Sequence, residues 1–344
     1  MAKQRKQSKP APSRRENTPT PKQKRQELVK ATLIALAAAL VLRQFVIASY
    51  NVPTGSMKDT ILIGDFMFVN KFVYGAQTPS WIGIPFTCTG FQVPFLRFPA
   101  IVEPEPGEIV VFEYPLNPCQ NYIKRCIAAG GQQVEVRGDT VWIDNHLEGK
   151  MEVLSRKYDM NEITPYGPLQ VQYTRITRPD GKTYVLRHYV KTDSRFKNLI
   201  PLSRIKRYRI TDEVLQRLHQ AGIPRTMLQP LETLKGRFIV GEEYFRFQLR
   251  KLYGLEPDQP DARFDRNWVY ISKFSEVNDP VIVPPDHFFM MGDNRDNSLD
   301  SRAWGFVSRD QIVGKPLVIW FSWNSHGRGI FDKVRWERLG SIVR

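Results

Sequence analysis

Three regimes of hydrophobic patterning divide the chain. Residues 1–27 are polar, basic and rich in proline, with too few apolar side chains to offset the entropy of ordering, which predicts a disordered tail. Residues 28–50, LVKATLIALAAALVLRQFVIASY, are almost continuously apolar. As a helix rising ~1.5 Å per residue this run is long enough for ~30 Å of hydrocarbon, with Arg43 and Gln44 interrupting it near the distal end, where Arg43 can snorkel to headgroups. Beyond Tyr50 the apolar residues come in short or alternating runs: 66–72, 108–114, 122–128, 134–136, 140–143, 281–283 and 317–321. Pro106-Gly107, Gly130-Gly131, Gly138-Asp139 and Pro284-Pro285 punctuate them, so the pattern predicts strands and turns.

Residues 150–265 break this rhythm. They are more polar, with some helical character: Thr211 is placed to cap a short amphipathic turn with Val214, Leu215 and Leu218 inward and Gly222 closing it. The expectation is a mainly β domain formed by 51–149 and 266–344, an inserted subdomain over 150–265, and one transmembrane helix over 28–50 ahead of it.

Charge sharpens the reading of the apolar run. Of the net +15, residues 1–30 carry ten basic and two acidic side chains and residues 150–265 carry 22 and 14, leaving the rest of the chain near neutral. A basic flank of ten charges argues against a buried core helix. A cleavable signal peptide would have an unusually long n-region and lacks a convincing small-x-small site beyond the apolar stretch. A membrane anchor remains, with its basic side in the cytoplasm and everything after Tyr50 outside. The same distribution argues against nucleic acid as a partner: the basic arm runs at once into apolar sequence, and no zinc-finger spacing or RNA-binding aromatic signature accompanies it. Cys88, Cys119 and Cys126 include no CxxC, so neither a zinc site nor a redox pair is signalled. One disulfide among them is possible, and the pairing stays open. No cofactor and no metal is expected.

Three segments carry chemistry. Val52-Pro-Thr-Gly-Ser-Met57 places a serine in a turn a few residues beyond the anchor. In Tyr122-Ile-Lys-Arg-Cys-Ile-Ala128, strand alternation points Tyr122, Lys124, Cys126 and Ala128 one way and Ile123, Arg125 and Ile127 the other. Burial among such neighbours lowers a lysine's pKa by disfavouring the ammonium, and a neutral lysine can take a proton from a serine hydroxyl. The third, Met291-Gly-Asp-Asn-Arg-Asp-Asn-Ser-Leu-Asp-Ser-Arg302, is not a calcium loop, because Arg stands at the third position and no Gly at the sixth. Asp300 and Arg302 flank a serine and suggest a charge pair that fixes a hydroxyl beside a catalytic group.

Together these segments resemble the type I signal peptidases. Residues 53–57 resemble that family's nucleophile box, Gly64-Asp-Phe-Met-Phe-Val-Asn-Lys-Phe-Val-Tyr-Gly75 its next box, Tyr122–Arg125 its lysine box, and 292–302 its last signature box. The resemblance covers roughly 30–75, 105–145 and 280–325. It implies a mostly β fold, Ser56 as nucleophile and Lys124 as general base. It further implies Thr54 as an oxyanion donor beside the Ser56 N–H, Ser298 as the residue orienting the lysine amine, and Asp300 with Arg302 as a supporting pair. The implied activity is removal of N-terminal signal peptides from exported preproteins at a small-x-small site, by a single-pass enzyme of the bacterial inner membrane. Two departures concern loop geometry: Asp59 stands where the family usually has proline, and Ala128-Ala-Gly-Gly-Gln132 replaces its usual Gly-x-Pro-Gly-Asp. Trp81–Phe86 and Phe91–Phe98 are apolar, aromatic and broken by proline, as expected either of a segment dipping into the membrane interface or of a buried core loop. The rival readings are a Ser/His/Asp hydrolase built on Asp286-His287, and a membrane-anchored binding or assembly protein without catalysis.

Overall fold

A computed structural model describes residues 21–84, 89–164, 167–190, 205–256, 259–277, 280–325, 327 and 329–344. Most of the polar tail, Cys88 and the end of the 81–86 segment lie outside the described residues. The chain divides into two units at Arg43/Gln44.

A single helix, Pro21–Phe45, accounts for the described part of the first unit and ends two residues beyond it. Proline at its first position is pre-set for a helix start, and Arg43 in its last turn faces the negative end of the helix dipole. Arg25–Phe45 has a mean hydropathy of 1.7 and buries none of its apolar window against protein. At ~1.5 Å per residue this stretch spans about 30 Å. The helix stops five residues before Tyr50. Ile47–Asn51 is a strand instead, as suits a stretch with Val46, Ile47 and Tyr50 whose side chains favour extended backbone.

The second unit is built on a seven-stranded antiparallel sheet. Its spatial order is Ile47–Asn51, Asp65–Asn70, Ile312–Ser322, Ile109–Tyr114, Asn117–Ala129, His287–Met291 and Val307–Ser308. Ile109–Tyr114 is buried on both faces, and its alternate residues feed two cores. Val110 and Phe112 join Cys126, Met290 and Trp304 on one side, while Ile109 and Val111 join Met57, Met67 and Val69 on the other. Each such side chain contributes roughly 1.5–3 kcal/mol by leaving water. A smaller sheet, Val281–Ile282, Gln133–Arg137, Thr140–Ile143 and His146–Leu147 in that order, extends this framework.

The segment from 150 has two parts, of which the sequence signalled only the second. Lys150–Thr164, Gly167–Thr177 and Thr183–Tyr189 form an antiparallel three-stranded sheet. Its first strand is exposed on both faces over 150–158, so it carries no clean alternation to read. Four helices follow, Asp212–Gln220, Arg225–Glu232, Glu242–Leu252 and Ala262–Ser275, closed around Leu218, Leu231, Phe245, Leu249, Phe264 and Trp268. Thr211 caps the first of them by accepting from Val214 N, Leu218 is fully buried, and Gly222 ends the turn with φ +86°.

Candidate active site

Ser56 stands in the connection between the edge strand Ile47–Asn51 and its neighbour Asp65–Asn70. The turn is anchored from below by Met57 and Ile61, both fully buried, and closed by Lys58 N donating to Gly55 O at 3.0 Å and Ile61 N to Met57 O at 2.8 Å. Lys124 comes from the Asn117–Ala129 strand, opposite Val110. As alternation predicts, Lys124 lies on the Tyr122 side, with Nζ 5.3 Å from that ring's centre, while Arg125 points elsewhere. The alternation lapses further along, where Ile127 and Ala128 join one core beside a register shift in the neighbouring strand.

Lys124 Nζ and Ser56 Oγ lie 2.5 Å apart, hydrogen-bonded, and both residues are buried. Nζ also donates to Ile123 O at 3.1 Å. Burial pushes the Lys124 amine down to about 8 even though the Asp300 and Asp293 carboxylates pull it up; the Arg302 guanidinium adds to the lowering. Near and above that pH the amine is neutral, and its lone pair can accept the Ser56 proton.

The 292–302 loop holds the turn in place from the other side. Asn294 N donates to Ser56 O at 3.1 Å, and Asn294 Nδ2 donates to Gly55 O at 2.9 Å. Gly292 lies so close that a Cβ there would sit 2.4 Å from Ser56 O and 2.3 Å from Ser298 Oγ, so no side chain fits. Asp300, with no exposed surface, accepts from Arg302 Nε at 2.8 Å, from Arg302 Nη2 at 2.7 Å and from Gly292 N at 3.1 Å. Burial raises its carboxyl, but the Arg302 guanidinium and the Gly292 N–H outweigh that and hold it below the usual carboxylate range. Ser298 is buried beside Gly292, with its hydroxyl on the Asp300 carboxylate side, and the Lys124 amine bonds Ser56 and the Ile123 carbonyl instead. Thr54 is exposed and lines, with Ser56 and Lys124, a cavity of about 320 Å³ whose other walls include Tyr50, Val52, Met67, Val111, Tyr122 and Leu299.

Sequence reasoning missed one supporting pair. Arg125 grips Asp293 with both arms, Nε to Oδ1 at 2.8 Å and Nη2 to Oδ2 at 2.6 Å, each side chain about 1% exposed. Asp293 also accepts from Thr60 Oγ1 at 2.7 Å, which ties the lysine strand, the signature box and the nucleophile turn together. A charged residue on an apolar strand was the available signal. Asp59, in the family's proline position, adopts φ +74°, which a proline ring fixed near −65° cannot reach, so the turn here follows its own path. Gln132, in place of the family's aspartate, still closes its turn by accepting from Ala129 N at 2.9 Å.

His287 is held by Pro285 O at 2.8 Å, and no described histidine contacts Ser56, whose hydroxyl is partnered by Lys124. Asp139, His188 and Asp296 form a described group whose ligand atoms lie within 4.8 Å of one another. None of them belongs to the dyad's contacts. Cys126 is a buried free thiol and Cys119 is disulfide-bonded.

Residues 25–207 and 241–323 match the family described as "Signal peptidase, peptidase S26". The chain is 30% identical to a Signal peptidase I of Aquifex aeolicus (strain VF5) over 298 residues, covering 87% of this chain and 84% of that protein. A Signal peptidase I of Buchnera aphidicola subsp. Baizongia pistaciae is 27% identical over 89% of this chain and 80% of its own. One of Pseudomonas aeruginosa is 26% identical over 86% and 72%.

Proposed function

Because the chain belongs to the signal peptidase family, peptidase S26, we propose that it is a membrane-bound serine endopeptidase that removes N-terminal signal peptides from exported preproteins. Ser56 is the nucleophile and Lys124 its general base. The observation that carries this reading is the buried lysine, its amine brought down to about 8 and bonded to the serine hydroxyl at 2.5 Å. An amine of that pKa is substantially neutral at mildly alkaline pH, so it can deprotonate Ser56 as the oxygen attacks the scissile carbonyl. The protonated lysine then returns its proton to the leaving amine, and a water molecule activated by the same base releases the acyl group. Thr54 and the Ser56 N–H hold the oxyanion, each such donor worth roughly 3 kcal/mol in the transition state. Asp300 and Arg302 act as a neutralised unit that keeps the buried site in shape.

Location supports the substrate class. The apolar helix ends at Phe45, eleven positions before Ser56, which fits an active site working on peptides presented by a bilayer. Phe91, Leu96, Phe98 and Ile101, all more than half exposed, give the catalytic unit apolar surface suited to the membrane interface. The basic flank orients the N-terminus to the cytoplasm of a bacterial inner membrane and the catalytic unit to the outside. The test is cleavage of a preprotein by wild type, Ser56→Ala and Lys124→Ala in membranes. Both variants should be folded, membrane-bound and inactive; near-wild-type turnover by either would remove the dyad. Protease added outside spheroplasts should digest residues beyond 50 and spare the tail, and the reverse would invert the topology.

A further inference from the structure

Two charged side chains of the insertion sheet, Asp159 and Arg187, reach the nucleophile turn and the signature box beside it. Arg187, on the Thr183–Tyr189 strand, is 1% exposed and sits against the signature box, its N donating to Asp293 O at 2.9 Å and its O accepting from Arg295 N at 3.0 Å. Its guanidinium forks. Nη2 donates to Asp159 Oδ2 at 2.7 Å, on the hairpin's first strand, and Nη1 donates to Asn294 Oδ1 at 3.0 Å. Asp159 is also held by Lys58 Nζ at 2.5 Å, from the nucleophile turn itself. With Oδ1 of Asn294 taken up by Arg187, the amide can present only its NH₂ to the opposite side, and Nδ2 donates to Gly55 O at 2.9 Å.

That last bond has a consequence for the reaction. In a trans peptide the carbonyl and the following N–H point in opposite directions. The Gly55 carbonyl, which also accepts from Lys58 N at 3.0 Å, is pinned on the Asn294 side, and that turns the Ser56 N–H the other way. That N–H has no acceptor among the described residues, as an oxyanion donor requires before substrate arrives. We infer that Arg187 is a positioning residue which, by fixing the Asn294 amide on the Gly55 carbonyl, holds the Ser56 N–H ready for the oxyanion. The inference rests on the serine–lysine reading above and adds a role for the 150–190 sheet, which carries none of the dyad.

The experiment compares kcat, KM and pH profile for preprotein cleavage by the detergent-solubilised full chain. Asn294→Asp keeps the acceptor for Arg187 but sets a carboxylate oxygen against the Gly55 carbonyl. It should lower kcat by about 10²-fold, as loss of an oxyanion donor does, with KM nearly unchanged and the rising pH limb in place. Arg187→Lys keeps the charge but cannot span Asp159 and Asn294 together, and should cost about 10-fold by misplacement. The double variant should be no worse than Asn294→Asp alone, because both act through one bond. Wild-type kcat in Asn294→Asp, a loss carried by KM, a shifted pH limb, or multiplied losses in the double variant would each overturn the proposal. Should Arg187→Lys fail to fold, Asn294→Asp and Asp159→Asn decide by the same criteria. Failure of the dyad itself would show separately, as cleavage by Ser56→Ala.

Discussion

Replacing Lys124 by methionine should abolish activity and at the same time stabilise the protein at neutral pH. A solvated lysine titrates at ~10.4, whereas the Lys124 amine is brought down to about 8 by burial. At ~1.36 kcal/mol per pKa unit, keeping it charged in the folded state at pH 7 costs about 3 kcal/mol. The sign follows from proton binding: between about 8 and ~10.4 the unfolded chain holds the proton that the folded chain has lost, so stability rises with pH across that window and the cost is fully present below it. Methionine is close in volume and carries no charge, so it escapes this cost. It also forfeits the hydrogen bonds to Ser56 and the Ile123 carbonyl, worth about 1 kcal/mol each. The net expectation is a variant about 1 kcal/mol more stable than wild type at pH 7 and less stable by pH 10.5. Urea unfolding of the solubilised chain at both pH values reads this directly. A variant less stable than wild type by the same amount at both would refute the idea that Lys124 is a costly buried charge.

Thr54→Val should leave a folded enzyme with kcat lowered by ~10²–10³ and KM little changed; an unchanged kcat would take Thr54 out of the oxyanion site. Asp293→Asn leaves the Arg125 guanidinium buried without its carboxylate and should cost about 3–5 kcal/mol in unfolding free energy, part of it recovered when Arg125→Met is added. A loss below about 1 kcal/mol would show that the pair does not hold the site together. Asp59→Pro should lower the melting temperature, since φ +74° is closed to proline and the Arg187 contact at 3.4 Å is lost as well. A raised melting temperature would mean that the turn relaxes to a different path.

The segments that carry Ser56 and Lys124 were legible because they match one family's boxes; a Pro-x-Gly-Ser turn or a strand lysine alone is a weak signal. Strand pairing then brings the two side chains together. The Thr211 cap and the inward Val214 and Leu218 were readable from the residues themselves, since helix periodicity is local. What escaped is non-local. Alternation puts Arg125 on the opposite face, but only the fold brings Asp293, 168 positions away, to meet it. Ser298 shows the converse: its box matches, yet its hydroxyl lies against Gly292 on the Asp300 side and not on the Lys124 amine. The Lys150–Thr164 strand was hidden because a strand exposed on both faces has no alternation to betray it. Tyr50 lies in a strand at the end of an apolar run, and such a run does not distinguish a lipid-facing turn from an edge strand.

If Lys124 works as a neutral base on Ser56, its ionisation must appear in the pH dependence of kcat/KM for preprotein cleavage. Because the amine is brought down to about 8, activity should rise through a single ionisation near that pH and level off above it. His287→Gln should leave the limb where it is. A profile flat from pH 6 to 10, or a limb that disappears in His287→Gln, would contradict the serine–lysine mechanism.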